Sequence, residues 1–111
     1  MEDFVGIWDI QEIEDFEQDD LHAMGIPFIK IDKYGSGRFE FSYIFGRFEG
    51  SLKTRGGKRL AFKWEGADGD HYDGGIGEIR LRDKDTIEGE LSFEHVPESA
   101  FIAKRRKEKG T

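Results

Sequence analysis

The chain has 111 residues, no cysteine and a formal net charge of −7. That length predicts one domain, residues 1–111, and the lack of cysteine excludes disulfides, thiolate metal sites and cysteine nucleophiles. A negative overall field argues against nucleic acid as a partner. No apolar run reaches membrane length, and the acidic start Met1-Glu2-Asp3 is unlike a signal peptide, so a cytoplasmic protein with no membrane partner is expected.

Ten Phe, three Tyr, two Trp and 15 Gly against two Pro make the composition of a twisted sheet rather than of a disordered chain. In chain order, residues 5–13 read as a first strand with Trp8 and Ile10 inward. Glu12 shares their phase, which would turn it to the interior near the helix, where a carboxylate needs a partner or a raised pKa; a place at the strand end is the simpler reading. Asp15-Phe16-Glu17-Gln18 has the form of a capping box, and Leu21 and Met24 lie three apart, which predicts a helix over residues 16–24. Gly25 and Pro27 stop it. A short strand, 28–32, follows.

Residues 38–45 alternate most clearly: Phe39, Phe41, Tyr43 and Phe45 share one face, with Arg38, Glu40 and Ser42 on the other. The phase changes after Gly46, putting Phe48, Gly50 and Leu52 inward. Leu60, Phe62 and Trp64 follow, then Gly77, Ile79 and Leu81, then Ile87, Gly89, Leu91 and Phe93, and last Phe101, Ala103 and Arg105. Residues 33–37, 55–58 and 83–85 read as hairpin loops. Short hairpins join antiparallel neighbours, and twisted strands with one apolar face curl and close. The predicted fold is therefore all-β: an antiparallel up-and-down barrel of about eight strands with one short helix after strand 1. The helix would lie across one mouth.

Charge is polarised along the chain. Residues 1–20 carry nine acids and no Lys or Arg, whereas residues 104–111 carry five bases against Glu108. In a closed meander the first and last strands are neighbours, so these runs are expected to attract across the seam. The last six residues read as frayed.

No catalytic set assembles. Asp68-Gly69-Asp70-His71-Tyr72-Asp73-Gly74 gathers carboxylates and an imidazole, but the spacing departs from an EF-hand and fits a polar hairpin loop. His22, His71 and His95 lack metal-ligand spacing, although His22 and His95 could meet at a barrel mouth. There is no Gly-x-Ser-x-Gly, and Gly35-Ser36-Gly37 is too short for a phosphate loop. Neither a cofactor, a metal nor an enzymatic activity is expected. The interior is the functional lead. A barrel of this size is near the limit at which side chains fill it or one small ligand fits. Its many rings favour a filled core; inward Gly50 and Gly89 favour a gap or sharp coiling.

Gly6-Ile7-Trp8 on the first strand resembles the lipocalin and calycin group. That resemblance implies a tryptophan packed at one barrel end with a basic residue of the last strand across its ring, and Arg105 is in phase for the role. The runs 35–41, 64–66, 75–77 and 99–105 are similar to a family of small bacterial proteins of unknown function. This second resemblance implies a soluble bacterial protein and brings no activity. The expected function is a non-enzymatic, lipocalin-like binding module for a small apolar or aromatic ligand at the helix-covered mouth, with Trp8, Phe41, Tyr43, Phe62 and Trp64 as ligand-binding residues. The competing expectation is a solid-core acidic barrel that binds a protein partner through its surface.

Overall fold

The computed structural model describes residues 1–94 and 96–107. His95, and with it any meeting with His22, lies outside the described residues, as does the end of the tail expected to fray. A 3-10 turn (Glu2–Phe4) leads into β1 (Gly6–Ile13), followed by α1 (Gln18–Leu21), β2 (Phe28–Ile31), β3 (Ser36–Phe41), β4 (Ile44–Lys53), β5 (Arg59–Asp68), β6 (His71–Asp83), β7 (Thr86–Phe93) and β8 (Val96–Arg105). The strands form a closed barrel in sequence order. Every pairing is antiparallel, and β1 closes onto β8 through Trp8 opposite Arg105, Asp9 opposite Lys104 and Ile10 opposite Ala103. Closure removes the unpaired edges that an open sheet of these strands would expose.

The seam carries the expected charge attraction. Arg106 Nη2 lies 2.6 Å from Asp9 Oδ1, and its Nε donates to the same oxygen at 2.8 Å. The Trp8 indole is buried, and Arg105 Cζ lies 4.2 Å from its ring centroid. Arg105 also donates to the carbonyls of Val5 (2.7 Å), Asp3 (3.1 Å) and Lys84 (3.0 Å). One guanidinium thus ties the N-terminal turn, β1 and the β6–β7 loop to β8. Gly6 is required beneath it: its φ is +138°, and a Cβ there would sit 2.8 Å from Arg105 Nη1. Trp8 Nε1 donates to Phe4 O at 2.9 Å, so Phe4 closes this end of the barrel without leaving a buried donor unpaired.

The interior is packed with rings. Phe48 and Phe62 stack at 4.2 Å between centroids, Phe39 meets Trp64 edge-on at 5.0 Å, and Phe39 stacks with Phe41 at 5.7 Å. The inward glycines admit neighbours rather than leaving space. A Cβ on Gly50 would lie 2.7 Å from Leu60 Cδ1, and one on Gly46 would lie 2.6 Å from Trp64 Cε3.

Four local expectations are corrected. Residues 38–45 are not one strand: the chain turns at Ser42-Tyr43, with Phe41 paired to Ile44. A two-residue loop shifts the alternation, so Ile44 and Phe48 point inward while Tyr43 and Phe45 point out, 58% and 47% exposed. The helix is shorter than predicted and has no side-chain cap. Phe16 is held in a bridge to Ile13 with its ring 5.3 Å from Phe41 and 5.9 Å from Phe93, which delays the helix start; Met24 falls beyond its end and is exposed. Glu12 faces solvent because the β1–β8 register slips between Ile10 and Glu12, which brings Ile13 inward. The segment 68–74 is mostly strand, with only Gly69-Asp70 between β5 and β6. Asp73 turns inward and accepts from the amides of Gly74 (2.7 Å) and Glu94 (2.9 Å), while Asp68, Asp70 and His71 stay exposed. The donors of that segment therefore do not converge.

Candidate functional site

At the α1 end of the barrel, Phe16 and Leu21 cover the mouth. The amide of Ser42 donates to Leu21 O at 2.9 Å, which anchors the β3–β4 turn to the helix. Just outside this plug, the α1–β2 connection and the β3–β4 turn form an open cleft of about 270 Å³. Its lining includes the apolar side chains of Met24, Ile26, Phe28, Phe41, Tyr43 and Phe45, with Glu40 and Gly69 beside them. Each residue has a local reason to be there. Gly25, at φ +124°, turns the chain after the helix, and Pro27 keeps the following backbone extended into β2. Ser42, at φ +53°, makes the tight turn that puts Tyr43 on the rim.

The expected ligand residues separate into two groups. Phe41 and Tyr43 meet at the cleft, Phe41 as its buried floor and Tyr43 as its exposed rim. Trp8, Phe62 and Trp64 are buried framework. Trp8 packs at the opposite end under Arg105, Phe62 stacks on Phe48, and Trp64 Nε1 donates to Ser92 O at 2.9 Å. Tyr43 reaches the site from the outer face, not from the interior assigned to it by alternation. Ile26, Phe28 and Phe45 were not singled out as site residues. The signal available was an apolar pair around Pro27, immediately after a helix stop.

Chemically, the cleft offers apolar contact area, four rings and the Tyr43 hydroxyl. Its size lies just under the ~300 Å³ that marks the smaller ligand pockets, so it suits a small body of one or two rings. Among the described residues, no group of three or more His, Asp or Glu is arranged to hold a metal ion. Comparison with family models, curated proteins and solved structures gives no significant match. Among the described residues, no helix is long and apolar enough to cross a membrane.

Proposed function

We propose that this chain is a non-enzymatic binding module that holds a small apolar or aromatic ligand at the helix-covered end of its barrel. The observation that carries the reading is the cleft built from Phe41, Tyr43, Phe28 and Ile26, where large apolar side chains stand open to solvent beside a filled core. An exposed apolar concavity that gathers Met24, Ile26, Tyr43 and Phe45 supports a binding site. The cation–π pair of Arg105 and Trp8, with Gly6 beneath it, supports kinship with the lipocalin and calycin group as part of the same proposal. A bacterial, cytoplasmic setting belongs to the proposal as well.

In this reading Phe41 and Tyr43 contact the ligand, and Trp8, Phe62 and Trp64 hold the wall rigid. Titration of the labelled protein with uncharged 2-naphthamide, followed by amide chemical shifts, tests it. The expected shifts cluster at residues 26–28 and 41–45, and Tyr43→Ala weakens binding by about 3- to 10-fold, the worth of one aromatic contact. Shifts spread through the core, or an unchanged affinity in the variant, would contradict the reading.

The second reading, an acidic protein-interaction module with a solid core, draws support from the same surface. Met24 and Ile26 are 74% and 64% exposed, a broader apolar area than one small ring covers.

A further inference from the structure

On the outer wall beside the cleft, three cations stand in one cross-strand row. Lys30 of β2 is opposite Arg38 of β3, and Arg38 is opposite Arg47 of β4. Like charges directly opposite one another work against a sheet. A second such row, Lys53, Arg59 and Arg80, carries its own counter-charge. Glu78 pairs with Arg59 at 3.5 Å and Arg80 at 3.1 Å, and Glu90 pairs with Arg80 at 2.5 Å. The Lys30 row is compensated less closely: Glu65 of β5 stands opposite Arg47, but no ion pair joins them within 4 Å. Arg38 meets Glu40 at 3.8 Å, with both side chains more than half exposed. Asp32 lies in the same depression, but its Oδ1 accepts from the amides of Tyr34 (2.8 Å) and Ser36 (3.1 Å). Among the described residues, Lys30 and Arg47 have no salt-bridge partner.

This row borders the cleft. Phe28, Glu40 and Phe45 line the cleft and lie two positions from Lys30, Arg38 and Arg47 on the same three strands. Two positions along a strand keep the same face and span about 7 Å. Arg38 Cζ lies 5.4 Å from the centroid of the Phe28 ring, so cation and apolar wall touch. The other side of the cleft has the opposite sign: Gly69 is flanked by Asp68 and Asp70, and Met24 follows the acidic helix with Asp19 and Asp20.

We infer that the ligand of this cleft is an aromatic anion, its ring seated on Phe28, Phe41 and Tyr43 and its carboxylate or sulfonate directed to Lys30, Arg38 and Arg47. The inference rests on the cleft being the ligand site and adds the ligand's charge and orientation. The cation row is the basic edge of the cleft, with Glu40 held towards Arg38 at 3.8 Å, and the acids on the opposite edge disfavour a bound anion turned the other way.

The test compares 2-naphthoate with 2-naphthamide, which share one ring body, by calorimetric titration of the full chain at low and high salt. The expected result is about 5-fold tighter binding of naphthoate at low salt, a preference that shrinks at high salt. The double substitution Lys30→Gln/Arg47→Gln is expected to reduce the preference to the share that Arg38 alone carries, about 2-fold, with naphthamide as the uncharged reference. Both positions lie on the outer wall and lose like-charge repulsion, and the salt series needs no variant. Equal affinities in the unmodified protein, or a preference undiminished by the double substitution, would overturn the anionic assignment and leave the cleft standing. Failure of both ligands to bind would remove the cleft itself.

Discussion

Arg105 performs three tasks with one side chain. It covers the Trp8 ring, satisfies carbonyls of Asp3, Val5 and Lys84, and lies 3.4 Å from Asp85. A cation–π contact is worth about 0.5–2 kcal/mol, and hydrogen bonds to a charged donor about 1.5–3 kcal/mol. Arg105→Ala is therefore expected to lower the unfolding free energy by about 3 kcal/mol in a denaturant titration. Arg105→Lys should fall between, since it keeps the charge over the ring and loses the fork. A change within about 0.5 kcal/mol for the alanine variant would contradict this role. This contact was legible in the sequence because the Gly-x-Trp resemblance named both partners and strand phase chose Arg105 over its neighbours. Glu12 was misread by the same phase logic, because a bulge leaves no mark in a run of alternating residues.

At the scale of elements, the least legible feature was the β3–β4 hairpin, and it also governs the site. Ser42-Tyr43 contains no Gly, Asn or Pro, and Phe39, Phe41, Tyr43 and Phe45 keep a perfect period of two straight through it. What fixes the turn is tertiary: the Ser42 amide binds Leu21 O, and Ser42 takes φ +53°. A non-glycine residue there carries backbone strain, which a β-branched side chain increases by about 1–3 kcal/mol. Ser42→Gly is expected to match or slightly exceed the natural stability, and Ser42→Val to lose about 2 kcal/mol by thermal unfolding. Equal stability of the two variants would show that the turn does not hold this conformation.

The β6–β7 pair adds an electrostatic element on the outer face. Arg80 grips Glu90 through two hydrogen bonds, 2.7 Å and 2.5 Å, and these hold the Glu90 carboxyl below its ordinary value of 4.5. A carboxyl lowered in the folded state stabilises the fold above its unfolded pKa, and that contribution is lost as pH falls through the folded value. Glu90→Gln is thus expected to cost about 1 kcal/mol at about pH 7 and close to nothing at about pH 2. An equal cost at both would mean that the pair acts through packing rather than charge.

For the whole molecule, closure in sequence order followed from short hairpins and one apolar face per strand, so most of the architecture was legible. The interior was harder to read. Alternation tells which side chains enter a barrel but not whether they meet, and inward glycines are read equally well as gaps or as places where neighbours crowd in. Here Gly46 and Gly50 admit Trp64 and Leu60. With the core filled, the open apolar surface lies at the rim, where Tyr43 stands exposed rather than in the interior to which alternation assigned it. Intermolecular nuclear Overhauser effects between the ring protons of 2-naphthamide and the protein's methyl and aromatic protons test this most directly. Cross-peaks to Ile26, Phe28 and Tyr43, with none to Trp8, Phe62 or Trp64, are the expected result. Cross-peaks to those three buried rings would place the ligand inside the barrel and contradict the account.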